Sequence, residues 1–302
     1  MEEKTAVNNK VLCIDLSSGD ITTLDISHED RRRYLGGKGL ALKLLYDHLP
    51  RGVDPLSPDN ILVMMSGPTA GTPAPAGGRF AVVCKSPLTG VFGSSYVGGR
   101  FGLSLKRAGY DGIMIRGKAD RPAIIRIAEG DVTIDDASEA WGMDTYDFQK
   151  AHKDDGDWVT IGPAGENLVR FAVIAADNRI AGRSGLGAVM GSKNLKGIAA
   201  KGSRKFGASD PDSFKKALKI AQKKVRSHEM TSKKLQDLGT AQNVMIFGPN
   251  NAMPVRNYGK SAFEKIKNIS AETIRDNHRI KNHGCVGCPI QCGRIGKFKD
   301  RE

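Results

Sequence analysis

The sequence predicts an α+β fold in two parts. Through the first two hundred residues, short apolar runs alternate with glycine and other turn residues, a pattern typical of β-strands joined by tight turns. Further along, apolar residues such as Phe214, Leu218 and Val225 recur at helical spacing. We therefore expect a first domain of strands and short helices over residues 1–207, and the start of a mostly helical domain over residues 208–302.

The strands of the first domain begin with a hairpin. Val11–Leu16 and Ile21–Leu24 flank the turn residues Ser17–Asp20, which predicts two antiparallel strands. Similar apolar runs predict seven further strands at Ile61–Met65, Phe80–Cys84, Ile113–Ile115, Ala123–Ile127, Val159–Ile161, Phe171–Ala175 and Gly197–Ala200.

Helices are predicted in both domains. The first domain should hold three short ones at Leu40–Leu49, Gly102–Gly109 and Tyr146–His152. In the second domain, a proline-containing start cluster precedes a long helix over Ser213–Leu238. Ser270 can cap another helix, and we expect the last hundred residues to be helical and basic.

Charge and apolar patterning limit the possible partners. The sequence contains no run of about 18 apolar residues, which a membrane-spanning helix would need. Its first residues also lack the apolar stretch of a signal peptide, so we expect a cytoplasmic protein. The formal net charge of +13 suits nucleic acid, an anionic membrane surface or an acidic protein. Most of the excess lies in 215–234 and 260–301, where aromatic residues are few, so nucleic acid is disfavoured and an acidic partner fits at least as well.

Three of the five cysteines form the motif C-x2-C-x3-C at Cys285, Cys288 and Cys292. Short spacers with glycine let one loop wrap a compact cluster, and soft thiolates select iron–sulfur or zinc over hard cations. The spacing favours an iron–sulfur cluster. Zinc is the alternative, because His283 could supply a fourth ligand.

A cubane cluster takes four ligands, and the motif supplies three. Cys13 and Cys84 lie inside apolar runs and are predicted to be core residues of strands. The fourth ligand is therefore expected to be missing, external or beyond residue 302.

Three glycine-rich stretches contain arginine: Gly67–Arg79, Ser95–Arg100 and Asn178–Asn194. Glycine lets backbone N–H groups approach an anion, and arginine adds a bidentate clamp, so together the stretches predict a site for a large phosphate-bearing cofactor. For any one stretch alone, tight turns in a glycine-rich β domain are the favoured interpretation. Neither the dinucleotide fingerprint nor the P-loop spacing occurs, which disfavours NAD and ATP, although Gly191–Lys193 could start a phosphate-binding helix.

A faint internal echo relates Gly36–Lys43 to Gly98–Lys106, with one inserted residue. Both segments read as a glycine turn that leads into a helix. A true repeat and chance similarity in a glycine-rich chain explain the echo equally well.

Taken together, these segments resemble the N-terminal half of the aldehyde ferredoxin oxidoreductase family. The cysteine motif follows them at the expected place, so the resemblance covers nearly the whole chain in order. The segments that carry it are Gly36–Leu40, Gly67–Arg79, Lys85–Gly90, Gly98–Gly117, Ile161–Asn167 and Ala181–Leu195.

The resemblance implies a first domain of two β-sheets related by a pseudo-twofold axis, which form a saddle over a tungsten, sometimes molybdenum, bis-pyranopterin. The cysteine motif would bind a [4Fe–4S] cluster. Tyr96 stands where a family member can carry asparagine, so at this position the chain departs from the family's cofactor-contacting residues. The implied cofactor-binding residues are Arg79, Tyr96, Gly98, Gly99, Arg183, Gly185 and Gly187.

The implied reaction is oxidation of a small aldehyde to a carboxylic acid, with electrons passing through the cluster to ferredoxin, a small acidic protein. No residue stands out as the catalytic proton-transfer group, and Glu166 suits a structural role. Family members continue for about as long again, so we expect a fragment, a split gene product or an incomplete reading frame. A second polypeptide could supply the missing half. The alternatives are a non-catalytic iron–sulfur electron-transfer subunit and a basic nucleic-acid-binding metal protein.

Overall fold

A computed structural model describes residues 6–299 of the chain. The chain divides into two compact units. The first contains the described residues up to Pro73 together with Gly77–Pro211, and the second contains Ala74–Ala76 and the chain from Asp212 onward. In the described part, no helix is both long and apolar enough to span a membrane.

The first unit begins with a mixed six-stranded sheet, here called sheet 1, of order β2-β1-β6-β3-β4-β5. Only β1 and β6 are parallel, and the other neighbours are antiparallel. Three helices connect the strands: α1 (His28–Tyr34), α2 (Gly37–His48) and α3 (Phe101–Arg107). The strands are β1 (Lys10–Asp15), β2 (Ile21–Asp25), β3 (Leu62–Ser66), β4 (Phe80–Lys85), β5 (Phe92–Val97) and β6 (Gly112–Arg116).

A second mixed six-stranded sheet, sheet 2, follows with the order β11-β10-β9-β12-β7-β8. Again one neighbouring pair, β7 and β12, is parallel. Its helices are α4 (Thr145–Ala151), α5 (Pro163–Glu166) and α6 (Leu186–Ser192). The strands are β7 (Ala123–Ala128), β8 (Asp131–Asp136), β9 (Asp157–Thr160), β10 (Ile174–Ala176), β11 (Arg179–Ala181) and β12 (Leu195–Lys201).

The two sheets repeat one topology. Read from β8 to β11, the order of sheet 2 matches that of sheet 1 when six is added to each strand number, and the single parallel pair falls at the same place. When the ladder registers of the two sheets are compared, the pair Phe80↔Val97 of sheet 1 is equivalent to the pair Ile174↔Ala181 of sheet 2. The sequence resemblance implied two related sheets, and this architecture confirms them.

The repeat differs from the one suggested by the sequence echo. The echo joins Gly36–Lys43 to Gly98–Lys106, which belong to α2 and α3. In the shared topology, however, α2 lies between the second and third strands, whereas α3 lies between the fifth and sixth. The counterpart of α3 is α6, so the true equivalent of Gly98 is Gly182, directly after β11.

The core of this unit is layered. The inner faces of both sheets share one apolar cluster, to which α3 and α6 contribute Phe101, Leu105, Leu186 and Val189. The outer face of sheet 1 packs against α2, and the outer face of sheet 2 packs against α4 through Phe148. Because strand residues alternate between faces, continuous apolar runs are needed where both faces are covered.

The second unit is smaller and more open. Helix α7 (Pro211–Ser227) has no buried residue, and it is followed by a π-helical turn at Met230–Lys234. The remaining helices are α8 (Leu235–Asp237), α9 (Asn243–Phe247) and α10 (Ala271–Asn277), with 3-10 turns at Gly239–Gln242 and Ile266–Ile269. The unit closes with an antiparallel pair, β13 (Arg279–His283) and β14 (Gly293–Gly296).

Most predicted elements are confirmed within a few residues, including the first hairpin and the cap of α10, whose Ser270 side chain accepts from the Thr273 N–H. Several predictions were wrong. The strand predicted at Phe171–Ala175 forms only from Ile174. The predicted helix over Ser213–Leu238 is interrupted after Ser227 and continues as the π-helical turn and α8. The end of the chain is not wholly helical, because β13 and β14 form there.

Candidate functional site

The first two glycine-rich stretches meet at one end of the strand pair β4 and β5. Since Phe80 pairs with Val97 in the ladder of β4 and β5, Arg79 and Gly98 flank the same end of that pair. Gly98 and Gly99 are buried, whereas Arg79 is exposed. The structure therefore brings the end of the first stretch beside the second.

The second stretch also contacts the two residues that directly precede the third, Ala176 and Asp177. The backbone N–H of Arg100 donates to Asp177 Oδ2 at 3.0 Å. Gly99 has φ +101° and lies so close to the Ala176 carbonyl that a Cβ would stand 3.1 Å from that oxygen. A side chain at Gly99 would therefore be strained, and glycine permits the close approach.

The third stretch is held by backbone contacts that leave no room for side chains. Ser86 Oγ donates to the Ser184 carbonyl at 2.8 Å. A Cβ on Gly185 would lie 1.9 Å from the Arg170 carbonyl oxygen, and one on Gly187 would lie 2.4 Å from the Val173 carbonyl. Two of the predicted cofactor-binding glycines are thus required for packing.

The start of a helix predicted at Gly191–Lys193 was wrong. These residues stand at the end of α6, which begins at Leu186. A Cβ on Gly191 would lie 2.0 Å from the Gly165 carbonyl, so α6 packs its backbone directly on α5. This glycine serves helix packing and presents no helix N-terminus to a ligand.

Two arginines of the stretches carry unpaired charge. Arg79 and Arg183 are exposed, and neither makes a hydrogen bond or ion pair with another residue of 6–299. By contrast, Arg100 pairs with Asp157 at 3.3 Å. Free guanidinium groups beside glycine-rich backbone have the chemistry of an anion site, because they can bind phosphate in a bidentate manner.

Tyr96 lies in β5 rather than in a loop, and its side chain is 49% exposed. The register makes Ile180 its equivalent in the second half, and that side chain is exposed as well. Tyr96, a member of the second stretch, is thus open to solvent.

Glu166 forms a buried ion pair. Its carboxylate accepts from Lys196 Nζ on β12, and its other oxygen accepts from the Gly142 N–H at 2.9 Å. Lys196 Nζ also donates to the Met143 carbonyl at 2.7 Å. These contacts tie α5 to sheet 2, which supports the structural role expected for Glu166.

Two more buried lysines donate hydrogen bonds to backbone carbonyls. Lys106, in the last turn of α3, donates from Nζ to the carbonyls of Gly67, Pro68 and Ala70 at 3.3, 3.0 and 2.8 Å. Lys193, just after α6, donates to the carbonyls of Pro58 and Gly117 at 3.0 and 3.1 Å. Burial lowers the pKa of each lysine to about 8, and the charge of Asp111 acts against this at Lys106.

This pKa shift predicts a pH-dependent stability. Above pH 8 the folded Lys106 loses its proton, while the unfolded chain keeps it to about pH 10.4. The unfolded state then binds more protons, so the contribution of Lys106 to stability rises with pH. In urea titrations, the free-energy difference between wild type and Lys106→Met should be flat below pH 8. It should then grow by up to about 1.4 kcal/mol per pH unit towards pH 10. Parallel pH profiles for wild type and Lys106→Met would contradict the shift.

The three clustered cysteines lie on the connection 284–292 between β13 and β14, closed by the pair His283↔Gly293. The loop is tightly turned, with Gly287 at φ +69° and Gln291 at φ +49°. The N–H of Cys288 donates to the carbonyl of Cys285 at 3.0 Å.

Neighbouring side chains anchor this loop. The Arg294 guanidinium donates to the carbonyls of Gln291 and Gly293 in the loop at 3.0 and 2.7 Å, and to that of Leu235 at 2.9 Å. Gln236 Nε2 donates to the Pro289 carbonyl at 3.0 Å. Contacts to main-chain atoms hold the loop, so they do not depend on the cysteine side chains.

The thiols themselves are half-exposed and do not form a metal site in the structure. Within 6–299, no three His, Cys, Asp or Glu side chains are gathered closely enough to hold a metal ion, which applies to iron and zinc alike. Three thiolates fit an iron–sulfur cluster in donor type. Cys13 and Cys84 lie in β1 and β4 as predicted, and burial raises the pKa of both thiols, which disfavours them as a fourth ligand.

Two family models match the chain. The aldehyde ferredoxin oxidoreductase N-terminal domain matches residues 11–202, and domains 2 and 3 of the same family match residues 216–302. The tungsten-containing aldehyde ferredoxin oxidoreductase of Pyrococcus furiosus is 41% identical over 291 residues, covering 94% of this chain and 48% of that protein. Its Thermococcus kodakarensis counterpart is 40% identical, covering 96% and 49%.

More distant relatives have other activities. The aliphatic sulfonate oxidoreductase WOR-like subunit of P. furiosus is 32% identical over 318 residues, covering 97% of this chain and 50% of that protein. Among solved structures, the active-site complex BamBC of benzoyl coenzyme A reductase with 1,5-dienoyl-CoA matches with a TM-score of 0.84 and 29% identity, over 98% of this chain and 48% of that one. The chain spans about half the length of the curated relatives it matches.

Proposed function

The chain belongs to the aldehyde ferredoxin oxidoreductase family, and on this premise we propose that it forms the cofactor-binding part of an enzyme that oxidises an aldehyde to a carboxylic acid. The names of its relatives support tungsten as the metal, and molybdenum is the alternative. The reaction adds the oxygen of water to the aldehyde carbon and releases two electrons and two protons. Ferredoxin, a one-electron carrier, would take up the electrons in two steps.

The observation that carries this proposal is the pair of unpaired guanidinium groups, Arg79 and Arg183, beside buried glycine backbone. They fit the phosphates of a bis-pyranopterin, because arginine binds phosphate with two parallel hydrogen bonds. Gly98 and Gly99 would let the cofactor approach the main chain, and Tyr96 would contact its edge. When bound, the group supplies the two-electron redox chemistry at its metal.

Gly185 and Gly187 would act differently from the arginines. Their close approach to the Arg170 and Val173 carbonyls fixes the backbone on which Arg183 stands. A guanidinium on a fixed backbone binds an anion with less loss of conformational freedom. We therefore assign these glycines to positioning and Arg183 to binding.

Cys285, Cys288 and Cys292 would hold a [4Fe–4S] cluster, with a fourth ligand from outside this set. The main-chain contacts of Arg294 and Gln236 keep the loop in place for the cluster. A second polypeptide that completes the active site stays a prediction.

The charge distribution supports an acidic electron acceptor. Residues 212–302 contain 19 Lys and Arg against 8 Asp and Glu, which places +11 of the net +13 there. Helix α7 alone presents six cations, and within the described chain none of them forms an ion pair. Such unpaired charge would steer an acidic protein towards this unit, with a salt-dependent rate.

The proposal is tested by metal and pterin analysis of the purified chain, prepared without oxygen from cells supplied with tungstate. We expect iron and acid-labile sulfide in equal amounts, together with tungsten and pterin. Zinc in place of iron would contradict the cluster. Iron without tungsten, molybdenum or pterin would contradict the cofactor and favour an electron-transfer subunit.

Cysteine variants locate the cluster. We expect Cys285→Ser, Cys288→Ser and Cys292→Ser each to lower bound iron at least about tenfold, because each removes one thiolate ligand. Cys13→Ser is the matched control and should keep its iron, since Cys13 lies in β1. Equal iron in all four variants would contradict the assignment.

A further inference from the structure

Lys106 joins two of the stretches through one helix. Helix α3 begins directly after Gly99 and Arg100, and its last turn carries Lys106. The Lys106 ammonium donates to three carbonyls of the segment Gly67–Ala70, with which the first stretch begins. The same seven-residue helix therefore follows the second stretch and anchors the first.

The surroundings of this ammonium are closed. Lys106 is fully buried, and the ring of Phe206 lies 4.8 Å from Nζ. Gly71, at φ +82°, stands so close to the same ring that a Cβ would lie 2.8 Å from it. The negative charge of Asp111 acts on Lys106, but that carboxylate is already paired with Arg31. The carbonyl oxygens of the segment are thus the direct partners of the charge.

A purely structural role would leave a feature unexplained. A buried ammonium is costly unless its three donors are satisfied, and here all three go to one four-residue segment. Lys193 shows the alternative, because its carbonyl partners, Pro58 and Gly117, lie outside the glycine-rich stretches. The two lysines have similar burial at the end of corresponding helices. Lys193 stands near the end of the third stretch and donates to carbonyls outside all three, whereas Lys106 donates into the first stretch.

We propose that Lys106 is a positioning residue that fixes the Gly67–Ala70 segment relative to the Gly98–Arg100 turn, so that both present a preformed site to a phosphate-bearing cofactor. This inference rests on the proposed function for the identity of the cofactor. Anchoring both stretches to α3 removes loop motion before binding, which lowers the cost of ordering them around an anion. Lys106 itself does not touch the cofactor.

The test compares Lys106→Met with Lys193→Met in the full chain by amide hydrogen exchange and by pterin and tungsten content. In Lys106→Met, amides of residues 67–72 should exchange at least about tenfold faster than in wild type, a loss of local protection. Its pterin content should fall by more than half. Lys193→Met should leave both values near wild type, although both variants lower global stability.

Each outcome bears on the inference. Equal exchange of residues 67–72 in the two variants would overturn the anchoring, and unchanged pterin in Lys106→Met would overturn its link to the cofactor. If wild type contains no pterin, the proposed function fails, and the exchange comparison still decides the anchoring. If Lys106→Met does not fold, Lys106→Gln keeps a shorter donor at the site and should show a smaller increase in exchange over the same residues.

Discussion

Replacing Gly185 with alanine is expected to lower the free energy of unfolding by about 4 kcal/mol, a large part of the roughly 5–15 kcal/mol that stabilises a typical folded protein. Two costs combine at this position. A Cβ would lie 1.9 Å from the Arg170 carbonyl oxygen, and φ is +67°, a left-handed value that side chains disfavour. Main-chain atoms cannot yield as a side chain can, so the start of α6 would have to move. Urea unfolding followed by circular dichroism measures the change.

Gly19 provides the matched control. It has φ +78°, and a Cβ there would meet no atom within 4 Å. Gly19→Ala should therefore cost only the backbone term, about 1 kcal/mol. If Gly185→Ala is no more destabilising than Gly19→Ala, the close packing of the third stretch on Arg170 is contradicted.

Removing one partner of the buried pair Glu166–Lys196 is expected to cost about 3–5 kcal/mol, because the other charge is left buried without compensation. The two side chains are 3% and 0% exposed. Lys196→Met leaves the carboxylate with the Gly142 N–H alone, and Glu166→Leu leaves the ammonium with the Met143 carbonyl. Both single variants should therefore be strongly destabilised in urea unfolding.

The double variant distinguishes a charge effect from a packing effect. Glu166→Leu with Lys196→Met removes both charges, so it should be more stable than either single variant. The exposed pair Glu29–Arg33, 70% and 67% exposed, is the control, and Arg33→Met should cost less than about 1 kcal/mol. A double variant as unstable as the sum of the single ones would contradict a direct ion pair.

The sequence predicted the inner strands and the edge strand β2, and it missed the edge strands β5, β8 and β11. Strands β3 and β4 are continuous apolar runs, and such runs are specific for a covered sheet. Strand β8 is rich in aspartate and lies at the edge of sheet 2. Most of its residues are exposed or half-buried, so it needs few apolar side chains. Its sequence therefore reads as a loop.

Helix α6 was hidden by its own packing. Gly187 and Gly191 are poor helix formers, so their segment reads as a glycine-rich loop. They occur there because the Val173 and Gly165 carbonyls leave no space for a Cβ. Both carbonyls belong to residues that precede α6 by many positions in the sequence. A local sequence pattern therefore contains no sign of this requirement.

The arginines and cysteines of the candidate site were found from the sequence, whereas the buried lysines were not. Lysine is rarely fully buried, so composition places Lys106, Lys193 and Lys196 on the surface. A signal does exist for Lys196, which lies within β12 between Leu195 and the apolar run 198–200. For Lys106 the partners are carbonyls of Gly67–Ala70, and no sequence pattern identifies such acceptors.

The strand order of the repeat has a consequence for folding during synthesis. In each sheet the last strand to be made, β6 or β12, takes the central place between the first hairpin and the following strands. The earlier strands thus form two separate groups until that strand arrives and closes the sheet through a parallel pair. Such long-range pairing is slow compared with hairpin formation. Sheet 1 is complete in sequence before β7 begins, yet its inner apolar face has no partner until sheet 2 follows, so the growing chain passes through a stage with an exposed apolar surface that is prone to aggregation.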